Sequence, residues 1–358
     1  MADEATSRKQ GRGQGQIIDI DFRSKKPIPD YVNELIETHL AIEREDAKSA
    51  GTLGYMARAM VQTAMPYKDP KTDVFARRNG NFQLRIVAGY EGGIPYGSYP
   101  RLLVSWIATE AVRTQSPVLL IGDSLSDFLR DVVGVKITGG SRGTIRLVTE
   151  QMRRLFGAMV TAQNTDNADG RNGFRLRNVL IVDDADIDEQ DFARLLLGEK
   201  PQSQVVAGTS EEKEVQLWTP QDSEEAGRWK SSIRLSNKFF EECVTNPVPL
   251  DLRAYRTLRD SPMAMDIYAW LTYRMSYLKG RSKPIRWEAL MYQFGSGFGG
   301  GEFTERAKLD FKRQFLSNLR KVAIVYPEAR VSYDDVGLTL MPSPTHVAPA
   351  GPRQAALW

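Results

Sequence analysis

Residues 303–322, FTERAKLDFKRQFLSNLRKV, constrain this chain more than any other stretch. At about 100° per residue, Ala307, Phe311, Phe315, Leu319 and Val322 form one apolar stripe. Arg306, Arg313 and Arg320 recur every seven residues and so line up on nearly the opposite side, with Lys308 and Lys312 between the stripes. The acids of the segment are Glu305 and Asp310. One helix is therefore predicted to carry a core face and an arginine face, a shape suited to a DNA groove. A solvated surface helix would show the same pattern.

A second basic helix is predicted from Arg142 to Gln163, after the break at Gly139-Gly140-Ser141. Its apolar stripe is Ile145, Val148, Met152, Leu155, Phe156 and Met159, and Arg142, Arg146 and Arg153 fall together on another side. Ser141 to Gln163 holds four arginines against one acid, whereas Asp183 to Asp191 and Glu211 to Glu225 are acidic. Net charge is only +3, so the distribution of charge says more than its sum.

Length and composition set the frame. The 358 residues suffice for two or more domains, and 41% hydrophobic residues suffice for ordinary cores. The lone Cys243 excludes an intrachain disulfide and points to a reducing cytoplasm. The opening MADEATSRKQGRGQGQ lacks the apolar core of a signal peptide, and no apolar run approaches the ~20 residues that span a bilayer.

Residues 1–29 read as a flexible arm, followed by a helix capped by Asp30 with Val32, Leu35, Ile36 and Leu40 on one face. Thr52 is expected to cap a helix running to Ala64, and Phe82 to Ala88 to form a strand. Leu102 to Val112 reads as a buried helix, and another short helix begins at Asp123 or Ser124. Strands are predicted over Phe174 to Val182, Gln204 to Ala207, Val215 to Trp218 and Ser232 to Leu235. Thr245-Asn246-Pro247-Val248-Pro249 is the strongest linker candidate, because two prolines remove donors and stiffen the chain. Three helices follow, over Leu252 to Leu258 and opened by Pro262 and Pro284. Then come the glycine loop Gly295 to Gly301, the basic helix, and two short strands joined by Asp334-Asp335-Val336-Gly337. Helices followed by a hairpin is the order of a winged helix.

Three blocks resemble the plasmid-encoded RepA family of replication initiators. They are Phe82 to Val112 with GSYPRLLVSWIATEAV, Ser124 to Thr161 with GGSRGTIRLVTEQMRRLFGAMVT, and Ile233 to Leu278 with FFEECVTNPVPLDLRAYRTLRDSPMAMDIYAWLTYR. The resemblance runs from about Gly54 to Pro342. It implies an α+β fold of two tandem winged-helix domains with flexible ends, divided as 1–49 arm and leading helix, 50–243 first domain, 244–247 linker, 248–342 second domain and 343–358 disordered tail. It implies binding of double-stranded DNA at repeated origin sequences in the bacterial cytoplasm, as a monomer that works with a host replication initiator and replicative helicase. A dimer would repress the protein's own gene. The helices from Arg142 and Phe303 take the recognition positions, which makes Ser141, Arg142, Thr144, Arg146 and Arg153 the candidate DNA contacts of the first domain. Those of the second are Arg306, Lys308, Lys312, Arg313, Arg320 and Lys321. A winged-helix repressor without an initiator role shares every one of these motifs.

Other chemistries fare worse. Carboxylates at Asp183, Asp184 and Asp186 follow a predicted strand, as in magnesium-dependent nucleases, but no partner cluster accompanies them. Gly295 to Gly301 lacks the strand before it and the Lys-Ser/Thr after it that a phosphate loop needs. His39 and His346 are not the paired histidines with which a rolling-circle initiator holds its metal, one cysteine and two distant histidines disfavour zinc, and no nucleophile–base set is visible. No enzyme, metal, cofactor or membrane association is expected.

Overall fold

The structure is a computed structural model and describes residues 16–17, 29–62, 64–79, 82–121, 128–132, 134–136, 138, 143–164, 175–187, 193, 197, 231–245, 247–295 and 304–347. Within the arm expected to be flexible, Gln16–Ile17 pairs with residues 332–333 as a short strand. The arm's other residues up to 28, Ser141, Arg142, the predicted strands at 204–207 and 215–218, and most of the glycine loop lie outside the described residues. The fold is mixed α and β. In chain order the elements are β1 (Gln16–Ile17), α1 (Asp30–Arg44), β2 (Leu53–Ala57), α2 (Arg58–Gln62), β3 (Val74–Asn79), β4 (Phe82–Val87), α3 (Ser98–Thr114) and β5 (Val118–Leu120). A π-helical turn, Phe128–Val132, precedes α4 (Thr144–Phe156), β6 (Met159–Asn164), β7 (Arg175–Leu180), β8 (Val182–Asp186) and β9 (Ser232–Leu235). The rest is α5 (Asn237–Thr245), β10 (Pro247–Asp251), α6 (Leu252–Thr257), α7 (Pro262–Tyr277), β11 (Ile285–Arg286), α8 (Trp287–Phe294), α9 (Glu305–Val325), β12 (Val331–Tyr333) and β13 (Gly337–Leu340).

All strand pairs among the described residues are antiparallel. The sheets run β3-β4-β6-β7, β5-β9-β8, β10-β2 and β1-β12-β13-β11. A continuous apolar cluster extends from Leu35 and Met56 through Trp106 and Leu155 to Trp270, Phe315 and Leu340.

Several sequence expectations change. The basic helix from Arg142 does not reach Gln163: it stops at Phe156, Gly157 caps it, and Met159–Asn164 is a strand. The β-formers Val160 and Thr161 gain two neighbours, β4 and β7, which outweigh continued helix. Met159 accordingly leaves the predicted apolar stripe and is exposed. The helix expected after Thr52 begins instead as β2, paired from Leu53↔Asp251 to Ala57↔Pro247.

That pairing also explains the proline-rich segment expected to be a linker. The Asp251 N–H turns to the Tyr268 hydroxyl at 3.0 Å, whereas the Leu252 N–H bonds the Thr52 carbonyl at 2.9 Å. By strand alternation, residues 247 and 249 face the same way as Asp251, away from β2, so the donors missing from both prolines are not needed for pairing. Asp30 lies inside the first turn of α1, which Pro29 precedes without a side-chain cap. Pro284 is followed by β11 before α8 begins at Trp287.

Candidate nucleic-acid interface

Helix α9 is fixed from beneath. Phe311, Phe315, Leu319 and Val322 are buried as the periodicity requires, and Ala307 is partly buried against the same core. Phe315 packs against Phe294 at 5.4 Å and edge-on to Trp287 at 6.1 Å between centroids. Asn318, also buried, donates to the Gln314 carbonyl at 2.9 Å and accepts the Ser261 hydroxyl, tying α9 to the start of α7. The Thr304 hydroxyl caps the helix by accepting the Ala307 N–H at 3.2 Å.

On the opposite side Arg306, Arg313 and Arg320 are all exposed. Arg313 is 83% exposed at its side chain and, among the described residues, meets a loose ion pair with Asp310 at 3.6 Å, one turn before it. The lysines between the stripes are held differently. Lys308 bridges Glu305 at 2.9 Å and Glu288 at 3.2 Å, and hydrogen bonds to those two carboxylates push its pKa above the usual lysine value. Lys312 reaches the hairpin between β12 and β13, donating to the Asp334 carbonyl at 3.2 Å and Asp335 at 3.1 Å while lying over the Trp287 ring. Lys321 lies over the ring of Tyr31 on α1, 5.4 Å from its centroid. The three lysines thus brace α9 from its flanks, and the three arginines form its outer row.

Helix α4 is seated by Val148, Met152, Leu155 and Phe156, and by buried Gln151, whose Oε1 accepts the Tyr96 N–H at 2.9 Å. Its carboxyl end lies against the turn after β4, where Gly89 comes so close to the Gly157 carbonyl that a Cβ would sit 2.2 Å from that oxygen. The Thr144 hydroxyl is spent on the preceding loop, accepting the Thr138 N–H at 2.7 Å and donating to the Lys136 carbonyl at 2.6 Å. Arg146 and Arg153 are exposed, and Arg153 donates to the Tyr90 hydroxyl at 3.4 Å. Arg154, by contrast, is folded inward onto Glu150 at 2.8 Å, Asp69 at 3.6 Å and the Tyr96 ring.

The acidic run lies along β8, where Asp183, Asp184 and Asp186 are exposed. Asp183 and Asp184 line, together with Met152, Arg153 and Phe156 of α4, a cavity of about 410 Å³. Among the described residues, no cluster of three or more His, Cys, Asp or Glu side chains is placed to hold a metal ion, and no helix is long and apolar enough to cross a membrane.

Sequence reasoning missed the braces. The Tyr31–Lys321 and Trp287–Lys312–Asp335 contacts join residues far apart in the chain and leave no periodic signal. It also missed Leu309, an exposed apolar side chain on the arginine side of α9. A helical wheel holds that signal, since Leu309 is three residues from Arg306 and four from Arg313.

Comparison with known proteins places the chain. Two crystal structures of RctB, one of selenomethionine derivatives of domain 2 and domain 3 and one of domains 2-3, are each 12% identical and cover 79% of this chain. They cover 97% and 96% of their own chains, with TM-scores of 0.43 and 0.42, too loose a likeness to carry an argument. None of the curated proteins matches. The family model described as plasmid encoded RepA protein matches residues 94–195 and 202–289, which takes in α3, α4 and α7 and ends before α9. The chain belongs to the RepA family of plasmid replication initiators.

Proposed function

We propose that this protein initiates plasmid replication by binding repeated sequences in double-stranded origin DNA through α4 and α9. The observation that carries the reading is the division of α9: an aromatic underside locked to α7 and α8, and an outer row of Arg306, Arg313 and Arg320. Arginine neutralises phosphate and can read guanine bidentately in the major groove.

The surrounding order supports a winged helix. Around α9 it is α7, β11, α8, α9, β12, β13, with β13 hydrogen-bonded to both β11 and β12. Around α4 the element order α3, β5, helical turn, α4, β6, β7 is the same, with β5 paired to β9 and β6 to β4 and β7. On this reading 50–243 and 248–342 are the two DNA-binding domains, and α4 and α9 their recognition helices. Monomers engage the repeats and recruit the host initiator and helicase, and dimers repress the protein's own gene. Arg306, Arg313 and Arg320 are the principal contacts of the second domain, Arg146 and Arg153 those of the first. Lys308, Lys312 and Lys321 contribute charge from the flanks.

Footprinting the purified chain on DNA flanking its own gene tests this. Direct repeats protected on one face at a spacing near one helical turn are expected. Protection of a single palindrome would favour a repressor without an initiator role, and no protection would end the reading.

A further inference from the structure

Leu309 is the most exposed of the large apolar side chains among the described residues, at 62%, although α9 offers it an extensive core one face away. By helical geometry it lies within about 60° of the arginine row, between Arg306 and Arg313 along the axis. Its flank is the hairpin braced by Lys312, whose tip residue Val336 is also exposed, at 58%. An apolar side chain set among arginines near the amino-terminal end of such a helix has no use in water. It has one in a major groove, where the thymine C5 methyl is the apolar feature on the base edges.

We infer that Leu309 is a specificity residue that packs on a thymine methyl while Arg306 and Arg313 hold the adjoining backbone or guanine. The inference rests on the proposed DNA-binding role of α9. It adds a term that charge cannot supply: Leu309 contributes no phosphate neutralisation, so it changes sequence preference and leaves the salt dependence alone.

The test uses the full chain and the tightest duplex it selects from a random-sequence pool. Each thymine is replaced in turn by deoxyuridine, which deletes the methyl and keeps every hydrogen-bonding group. Wild type should lose affinity about fourfold at one or two neighbouring positions, the worth of one buried methyl group. Leu309→Ala should bind the thymine duplex correspondingly less well, show no uracil effect at those positions, and keep the wild-type slope of log affinity against log salt. Arg313→Ala serves as the control, since it should weaken binding to the thymine duplex and its uracil-substituted versions by the same factor and so keep the uracil pattern. If Arg313→Ala weakens binding and Leu309→Ala still shows the wild-type uracil pattern, the thymine contact is wrong and α9 remains a DNA-binding helix. If neither variant differs from wild type, or no duplex is selected, the DNA-binding role of α9 fails and the contact with it. Leu309 is exposed, so its variant should melt like wild type, and the melting curve is recorded beside the binding data.

Discussion

Lys312 and Arg313 are adjacent in the chain, yet their charges meet different surroundings. Lys312 is clasped by Trp287, the Asp334 carbonyl and Asp335, whereas Arg313 projects into solvent beside a weak intrahelical partner. Exposed long side chains keep their rotamer freedom until a partner orders them, so Arg313 is the better placed to adapt to phosphate or base. The amino-terminal part of a recognition helix enters a groove most deeply. Arg313→Ala should therefore cost ~1–3 kcal/mol and relax discrimination at one base pair, while Arg320→Ala should weaken all duplexes alike and reduce the salt slope by about one. Salt-titrated binding of both variants to selected and scrambled duplex decides it, and wild-type behaviour by both would remove α9 from the interface.

His346 shows a different residue-scale effect, one of pH. Its ring packs edge-on to Tyr268 at 5.4 Å and over Tyr326 at 4.6 Å, and its Nδ1 lies 2.7 Å from the Tyr268 hydroxyl. That hydroxyl also accepts the Asp251 N–H at 3.0 Å. Burial holds the histidine pKa below its ordinary value, with the charges of Asp251 and Glu328 opposing. As pH falls past about 6.5 the unfolded chain takes up this proton first, so native stability is lost on acidification and regained on return to neutral pH. His346→Asn, which cannot titrate, should show a flatter fall of Tm between pH 7 and pH 5.5 than wild type. Parallel curves would mean that His346 plays no part in acid sensitivity.

At the scale of elements, the first turn of α9 depends on one hydroxyl. Thr304 satisfies the Ala307 N–H, and Arg306 sits inside the turn so capped. Thr304→Ala should cost about 1 kcal/mol of stability and fray the turn, while Thr304→Ser should keep both cap and affinity. DNA affinity falling in the alanine variant and held in the serine variant would tie groove entry to helix order; unchanged affinity in both would separate them. This element was legible in the sequence because its seven-residue arginine repeat and its aromatic stripe report the same period. The end of α4 was not legible. Its stripe continues in sequence through Met159, and only the pairing of β6 with both β4 and β7 stops the helix at Gly157. The same limit hid β2, whose Met and Ala residues read as helix until β10 lies beside them. Long-range pairing decides such segments, and a single sequence carries no trace of which distant strand will arrive.

At the scale of the molecule, the two halves are joined more tightly than a proline linker suggested. Strand β10 pairs with β2 across nearly two hundred residues of chain. Arg77 of β3 donates to the Gly295 carbonyl at the end of α8, at 2.9 Å. Most of the coupling is expected at Arg101 of α3, which is 1% exposed and forks onto Asp266 of α7 at 2.8 and 2.7 Å while also donating to the Met65 and Gly97 carbonyls. A buried guanidinium left without its carboxylate is an uncompensated charge, so Asp266→Asn should cost ~3–5 kcal/mol even though the side-chain shape is kept. Because one apolar cluster runs through both halves, that loss should not fall on the second half alone. Calorimetry should give a single transition for wild type, with calorimetric and van't Hoff enthalpies in agreement, and a single transition at lower temperature for the variant. Two separate transitions, with only one of them moved by Asp266→Asn, would mean that the halves fold independently. In that case α4 and α9 are spaced by a hinge instead of a shared core. A rigid spacing makes a further demand on the DNA, since the two helices can then meet the groove together only at one separation. If α4 and α9 contact two segments of one repeat, inserting half a helical turn of DNA between those segments should therefore lower affinity, and a full turn should not restore it.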